Sequence, residues 1–588
     1  MKYSEIPVAQ TVLLSCLDKG IRHVVISPGS RNAPLTLSFT AHPDITAYSI
    51  VDERCAAFFA LGIAQQIQQP VAVICSSGSA LLNYYPAIAE AFYSNIPLVV
   101  LSADRPVYRI DIGDGQTIRQ DHVFDRHLVY SAPLQQDVIH HTDAILQSNQ
   151  QQLIPVPYQP EQLAEMQQAV QTYNASEIHQ ALSAAIEHQK PVHINIPMEE
   201  PLYNTIDKPT VALPVFSQNS KKKTVSFPSK AFSSLWNRAS KKMILVGCLS
   251  PNTLSKEILD QWAADPSIIV LTETTSNLHH AHFISSIDTL IAPIEFQSQP
   301  PESWSQLRPD MLITVGGMIV SKKIKTALRN YPPQQHFHVG EREAYDTFYQ
   351  GVLHEEVNPT TFFRTLPKSI VGSDYRSLWL ALQQERTQAH ERFMKKTPFS
   401  DLKVFEILLE RIPDAYHLQI GNSSSIRYMQ LFNNNPTHTQ FCNRGTSGID
   451  GSTSTAVGAS VVNKTPTLLV SGDLSFLYDS NGLWNTHLRN DFRIVVINNG
   501  GGGIFRILPG AKADSTFATF FETQHTLTAK QLARMHGFRY QNARSQWGLK
   551  RALSSFFKPS SQPKLLEIFT PTEKNADLLK NYFKFLAQ

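Results

Sequence analysis

Short runs of almost wholly apolar residues recur along the chain, and stretches of helical periodicity follow them. In the first part "HVVISPGS", "ITAYSIVDE", "PVAVICSSGSA" and "IPLVVLSADRP" predict four strands, with helices predicted over "PLTLSFTAH" and "RCAAFFALGIAQQIQ". A strand that is apolar at nearly every position must be covered on both faces, which is the condition of a parallel sheet between helices. Four further strands are predicted from "KMILVGCLS", "IIVLTETTS", "DMLITVGG" and "HFHVG", and a last set from "HLQIGNSSS", "TPTLLVSGD", "FRIVVINNG" and "PKLLEIFTP".

Two breaks divide this rhythm. Residues 203–230 combine prolines, serines and a lysine triplet without periodicity, as linkers do, and residues 366–400 are polar and charged around the helical "SLWLALQQERTQAHERFMKK". The expected organisation is therefore three sequential α/β domains with parallel sheets, at 1–202, 231–365 and 401–588, joined by the linker and the connecting segment.

Totals change this picture little. A chain of 588 residues exceeds what one core supports, and a formal charge of +3 favours neither nucleic acid nor a membrane surface. Cys16, Cys55, Cys75, Cys248 and Cys442 are scattered without a CxxC, as reduced thiols of a cytoplasmic enzyme would be. No run reaches the roughly 18 apolar residues of a membrane span, and the first helix reads as amphipathic rather than as a signal peptide.

The chemistry gathers where strands stop in glycine, asparagine and aspartate. Asp473 closes one strand, and Asn498, Asn499 and a glycine run close another. A hard cation such as Mg²⁺ takes oxygen ligands and often bridges to phosphate. Asp473 and Asn499 offer a carboxylate and an amide oxygen, and glycine at Gly501 lets a backbone carbonyl approach closely. Two ordinary strand-ending loops of a doubly wound sheet would look similar.

This spacing resembles the diphosphate-and-metal motif of thiamine-diphosphate enzymes of the decarboxylase type. "SPGSRNAPL", "VDERCAAFFALGIA", "SSGSALLNYYPAIAEA", "LSADRP", "GDGQTI", "NRGTSGIDGSTSTAVG", "GDLSFLYDSN" and "NNGGGGIFRILP" narrow it further. They resemble successive signatures of the 2-succinyl-5-enolpyruvyl-6-hydroxy-3-cyclohexene-1-carboxylate synthase family of menaquinone biosynthesis. The resemblance implies a homodimer or dimer of dimers, and a transferase that decarboxylates 2-oxoglutarate and adds the succinyl unit to isochorismate.

Roles follow from the resemblance residue by residue. Glu53 is expected to touch the cofactor's aminopyrimidine as the catalytic carboxyl, in a buried setting. Ser77, Gly78, Gln116, Ser447, Gly448, Leu474 and Ser475 are expected around the cofactor, with Ile449 as the wedge that bends it. Asp473, Asn499 and the Gly501 carbonyl are expected to hold Mg²⁺ or Mn²⁺. The substrates bring several carboxylates, which planar guanidinium groups clamp well. Arg31, Arg105, Arg427 and Arg444 are the expected clamps, with Ser30, Gln116, Asn422 and Ser423 as polar neighbours. Lys322 and Lys323 stand where the family more usually has lysine then arginine, so the part played by Lys323 stays open beside that of a solvated helix start. Ile504, Phe505 and Leu508 are expected as the apolar wall. Two other readings remain at this point: a thiamine-diphosphate carboligase acting on pyruvate, and a cofactor-binding regulatory protein without chemistry.

Overall fold

Val71–Cys75, Met311–Val315 and Arg493–Asn498 are buried at every position, so each of these strands has to be covered on both faces. The computed structural model describes residues 2–148, 153–216, 228–367, 371–507 and 514–588, and there the apolar runs assemble into three six-stranded parallel sheets.

The first sheet holds His23–Ile26 (β1), Thr46–Ser49 (β2), Val71–Cys75 (β3), Leu98–Asp104 (β4), Tyr130–Pro133 (β5) and Val192–Pro197 (β6) in the order β2-β1-β3-β4-β6-β5. The second holds Lys242–Val246 (β7), Ile268–Thr272 (β8), Phe283–Ile284 (β9), Met311–Val315 (β10), Gln335–Val339 (β11) and Val352–Glu355 (β12) in the order β9-β8-β7-β10-β11-β12. The third holds His417–Ile420 (β13), Thr439–Phe441 (β14), Thr467–Gly472 (β15), Arg493–Asn498 (β16), Arg539–Ala543 (β17) and Lys564–Phe569 (β18) in the order β14-β13-β15-β16-β18-β17.

The first and third sheets share one winding order, although the sequence shows no repeat, and the second has the order of a doubly wound dinucleotide-type sheet. In such sheets ligands bind beyond the carboxyl ends of the strands, where the order switches direction. In the first sheet that point lies between β1 and β3, so it is served by the loops carrying Ser30, Arg31, Ser77 and Gly78. In the third it lies between β13 and β15, so it is served by Asn422, Ser423 and Asp473.

The helices include Pro7–Asp18 (α1), Glu53–Ile67 (α2), Tyr85–Ser94 (α3), Lys322–Asn330 (α4), Tyr375–Lys396 (α5), Asp401–Leu409 (α6) and Ser452–Val462 (α7). The chain divides into two compact units. The first comprises Met1–Ser220, Gly445–Lys464 and Asp479–Arg489, and the second Lys221–Arg444, Thr465–Tyr478 and Asn490–Gln588.

Within the first unit α2 packs on α7 through glycine. A Cβ at Gly62 would lie 2.1 Å from the Thr455 carbonyl oxygen, and one at Gly458 would lie 2.0 Å from that of Phe59. Only hydrogen fits at either position. The buried Asp479 carboxylate accepts from the Ser454 amide at 2.7 Å and so caps the first turn of α7.

Within the second unit α5 explains the connecting segment. Tyr375 and Trp379 at its start belong to the core around the second sheet, whereas Ala389 and Met394 belong to the core of the third. One helix thus spans two cores. Thr205–Ile206, in the expected linker, pairs antiparallel with Tyr3–Ser4, and residues 217–227 lie outside the described residues. Among the described residues no helix is long and apolar enough to cross a membrane, and the five cysteines form no disulfide.

Candidate active site

In the second unit the register of β15 and β16 pairs Gly472 with Ile497, which sets Asp473 beside the Asn498–Gly501 turn. Asp473 is 4% exposed, and its Oδ2 accepts from the amides of Gly500 at 2.9 Å and Gly501 at 3.0 Å. Its Oδ1 accepts from the Leu474 amide at 2.7 Å. Glycine is needed in this turn, because Gly500 has φ +78° and Gly501 φ +147°, and a Cβ at Gly501 would stand 2.6 Å from the Glu522 carbonyl oxygen. The opposite wall is His525: its Nδ1 accepts from the Leu527 amide, so the ring proton sits on Nε2, 3.3 Å from Asp473 Oδ2. Burial pushes the Asp473 carboxyl above its ordinary range, against the pull of the three amides and His525.

Asn499 completes this turn. Its Nδ2 donates to Asp401 Oδ2 at 2.9 Å, while its Oδ1 is buried with no hydrogen-bond partner among the described residues. A buried amide oxygen left without a donor invites a cation. The Gly501 carbonyl accepts from the Gly503 amide at 3.0 Å and keeps its second lone pair. Among the described residues no three His, Cys, Asp or Glu side chains converge as a metal cluster. The donors on offer are thus one carboxylate, one amide and one carbonyl, all oxygen. That set fits a hard cation which completes its shell with phosphate oxygens and water.

Leu474 is half-buried, and Ser475 is 5% exposed. Ile504 and Phe505 are half-buried on the loop that Arg506 anchors through paired hydrogen bonds to the buried Glu522, and Leu508 lies outside the described residues.

At the switch point of the same unit Asn422 organises Arg444. Its Oδ1 accepts from Arg444 Nη1 at 2.7 Å, and its Nδ2 donates to the Asn443 carbonyl at 2.7 Å. Arg427 Nη1 donates to the Ser423 carbonyl at 2.6 Å. Burial and the Arg444 charge both lower the Arg427 pKa, so the two guanidinium groups share one neighbourhood, with Asp288 as its acidic member. Lys322 is exposed at the start of α4, whereas Lys323 is tied to Glu295 at 2.6 Å. Lys325, which the sequence did not single out, lies in the field of Glu273 and Arg444.

In the first unit Glu53 opens α2, behind the N-cap Asp52 whose carboxylate accepts from the Cys55 amide. Glu53 Oε2 accepts from Asn83 Nδ2 at 3.4 Å. In this single chain Glu53 is half-buried rather than enclosed, because the apolar "AAFFALG" turns inward behind it.

Arg31 is 1% exposed; Nη1 donates to the Met198 carbonyl and Nη2 to Glu200, leaving Nε without a partner among the described residues. Ser30 beside it is exposed. Arg105 donates to the Gly115 carbonyl at 3.1 Å, which draws it to the loop carrying the exposed Gln116. A Cβ on Gly78 would lie 3.1 Å from the Gln116 carbonyl oxygen, so these two expected cofactor residues are in contact. Ser77 Oγ is buried without a partner among the described residues. Ser447 has φ +61°, and Ile449 is 37% exposed, an apolar side chain on an otherwise polar loop.

Sequence reasoning missed several residues that hold these groups. Glu90 on α3 grips the loop before Ser447, and Asp401, His525 and Glu522 surround Asn499 and Asp473. Glu90 had a signal, a lone carboxylate in the apolar "AIAEAF"; Asp401 had none, since it reads as a plain first-turn acid behind the N-cap Ser400.

Two family models match the chain. Residues 7–128 match the N-terminal TPP-binding domain of thiamine pyrophosphate enzymes, and residues 419–568 match their C-terminal TPP-binding domain. Curated relatives named 2-succinyl-5-enolpyruvyl-6-hydroxy-3-cyclohexene-1-carboxylate synthase align end to end. That of Christiangramia forsetii is 50% identical over 100% of both chains. That of Flavobacterium psychrophilum is 49% identical over 100% of both, and that of Porphyromonas gingivalis 35% over 97% of this chain and 95% of the relative. With thiamine diphosphate as its cofactor, the chain belongs to the 2-succinyl-5-enolpyruvyl-6-hydroxy-3-cyclohexene-1-carboxylate synthase family.

Proposed function

We propose that this protein decarboxylates 2-oxoglutarate and adds the succinyl unit in a 1,4 sense to isochorismate, giving 2-succinyl-5-enolpyruvyl-6-hydroxy-3-cyclohexene-1-carboxylate and CO₂ in menaquinone biosynthesis. The observation that carries this reading is the end-to-end alignment, at up to 50% identity, with relatives bearing that product's name.

When bound, thiamine diphosphate supplies the electron sink that lets a 2-oxo acid lose CO₂. The residues of this chain have separate tasks. Glu53 exchanges a proton through its carboxyl with the aminopyrimidine ring. Asp473, Asn499 Oδ1 and the Gly501 carbonyl hold Mg²⁺ or Mn²⁺, and Leu474, Ser475, Ser447, Gly448, Ser77, Gly78 and Gln116 line the cofactor. Ile449 would pack against it, and Ile504, Phe505 and Leu508 would exclude water beside it. Arg31, Arg105, Arg427 and Arg444, with Lys322, Ser30, Asn422 and Ser423, receive the substrate carboxylates and hydroxyls. Arg31 and Lys323 are the weakest candidates, since Met198 and Glu200 already engage both terminal nitrogens of Arg31 and Glu295 occupies the Lys323 ammonium.

The reading extends to a cytoplasmic homodimer or dimer of dimers whose sites are shared between subunits. The deciding experiment mixes the purified protein with both substrates, thiamine diphosphate and Mg²⁺ and identifies the product by mass. Release of CO₂ from 2-oxoglutarate with the expected adduct supports it; turnover of pyruvate in preference to 2-oxoglutarate overturns it.

A further inference from the structure

Resting on the reading that Asn499 ligates the divalent cation, we propose that Asp401 is the positioning residue of that site: its carboxylate fixes which end of the Asn499 amide faces the ion. A primary amide has an oxygen end and a nitrogen end of nearly equal shape, and rotating it by half a turn exchanges an acceptor for a donor. A metal site that uses such an amide needs a neighbour able to tell the two ends apart. An ionised carboxylate does so, because it accepts and never donates.

The geometry around Asn499 supplies that neighbour. Asp401 Oδ2 receives Asn499 Nδ2 at 2.9 Å, and Asp401 Oδ1 receives Thr570 Oγ1 at 2.5 Å. Both carboxylate oxygens are thus engaged, in a side chain 2% exposed. The carboxylate is itself held at the start of α6, where the Asp401 amide donates to Asn575 Oδ1 at 2.9 Å. The Asn499 backbone is clamped from the same side: Thr572 Oγ1 donates to its carbonyl at 2.6 Å, and the Thr570 amide donates to the Asn498 carbonyl at 3.1 Å. With its nitrogen pinned, Asn499 has one other polar end, the buried Oδ1 that lacks a hydrogen-bond partner among the described residues. Asp401 acts through Asn499; no contact of its own with the ion is needed.

The test reads Mg²⁺ affinity rather than turnover. Mg²⁺ is titrated calorimetrically into the full-length protein at saturating thiamine diphosphate, for wild type, Asp401→Ala, Asn499→Ser and the double variant. Groups that orient a metal ligand are worth about 10- to 100-fold in metal affinity, and a loss of that size is expected for Asp401→Ala. Asn499→Ser keeps a smaller oxygen and binds more weakly. On that background the effect of Asp401→Ala should vanish, because no amide remains to be oriented. An equal loss on both backgrounds assigns Asp401 a merely structural part and overturns the inference.

Asp401→Asn, nearly the same shape, covers the case in which alanine prevents folding. Its amide accepts or donates, so it should weaken Mg²⁺ in the same direction by less. A wild-type constant in whichever variant folds also overturns the inference. If Asn499→Ser itself binds Mg²⁺ as wild type does, the ligand assignment fails instead, so the two failures are distinguishable.

Discussion

The carboxylate of Glu90 and the backbone amide of Thr446 lie 2.7 Å apart, although 356 positions separate the two residues in sequence. The other Glu90 oxygen takes the Gly445 amide at 2.7 Å, and the Thr446 hydroxyl adds a bond of 2.8 Å. A fully buried acid on α3 therefore fixes the loop that delivers Ser447 and Gly448. Removing it strands two amides, at about 1–3 kcal/mol for each buried donor left unpaired. Glu90→Ala should lower the melting temperature and weaken thiamine diphosphate binding about tenfold or more. Calorimetric titration of the cofactor, with thermal unfolding alongside, checks both; wild-type affinity in a folded variant would contradict this role.

Glu53 stands apart from such scaffolding. It is half-buried, with Asn83 as a weak neighbour at 3.4 Å, so its carboxyl is available to a ligand. Glu53→Gln keeps the shape and removes the exchangeable acid. General acid–base groups contribute about 10²- to 10⁴-fold, and kcat should fall by that order while thiamine diphosphate affinity stays within about threefold. A variant that loses cofactor and rate together would mean that Glu53 holds the cofactor rather than moving a proton on it.

Arg444 and Asn422 make a matched pair for substrate kinetics. Asn422 Oδ1 accepts from Arg444 Nη1 at 2.7 Å, which steers the guanidinium fork that would meet a carboxylate. Hydrogen bonds to charged groups contribute about 1.5–3 kcal/mol, so Arg444→Ala should raise KM for one of the two substrates by about 10- to 100-fold. Arg444→Lys keeps the charge without the fork and should recover only part of that. Asn422→Ala, which frees the arginine without deleting it, should show the smaller rise. Steady-state kinetics with each substrate varied in turn decide this, and KM values unchanged for both would remove Arg444 from the site.

What the sequence disclosed and what it withheld follow from range. Each strand read from an apolar run is present, because covering both faces of a parallel strand writes its burial into consecutive residues. β5, β6, β9, β12, β14 and β17 went unread: Tyr130–Pro133, Val352–Glu355 and Arg539–Ala543 are only partly buried, Phe283–Ile284 and Thr439–Phe441 are two and three residues long, and His193 and Asn195 interrupt the apolar run of the buried Val192–Pro197. Asp473 and Asn499 were legible because glycine and asparagine at strand ends mark close backbone approach, whereas their supports were not. Asp401 reaches Asn499 across 98 positions and Glu90 reaches Gly445 across 355, and no local pattern records such a contact. Arg31 shows the converse. Its motif marked a substrate clamp, yet the fold engages both of its terminal nitrogens with Met198 and Glu200.

Glu273 carries the clearest pH dependence. It follows β8, is 2% exposed, and accepts from the amides of Val320 and Ser321, each at 2.6 Å, at the entry to α4. Burial lifts its carboxyl from 4.5 to about 7, and the two amides only partly offset that rise. A raised carboxyl means that the folded chain keeps a proton which the unfolded chain has already lost. Stability is therefore greatest below the unfolded value and falls as pH climbs towards the folded one. At about 1.4 kcal/mol per pH unit, the loss across that window is on the order of 3 kcal/mol. Asp401 and Asp479, both raised to about 6, slope the same way, so the test is a comparison. Urea midpoints of the cofactor-free protein at about pH 5 and about pH 8 should fall more steeply for wild type than for Glu273→Gln, whose side chain does not titrate. The glutamine will itself be less stable at low pH, because its NH₂ faces one of the two amides, but its profile should be flatter. Parallel profiles would show that Glu273 is ionised on both sides of the transition throughout the range, and that the two amides outweigh its burial.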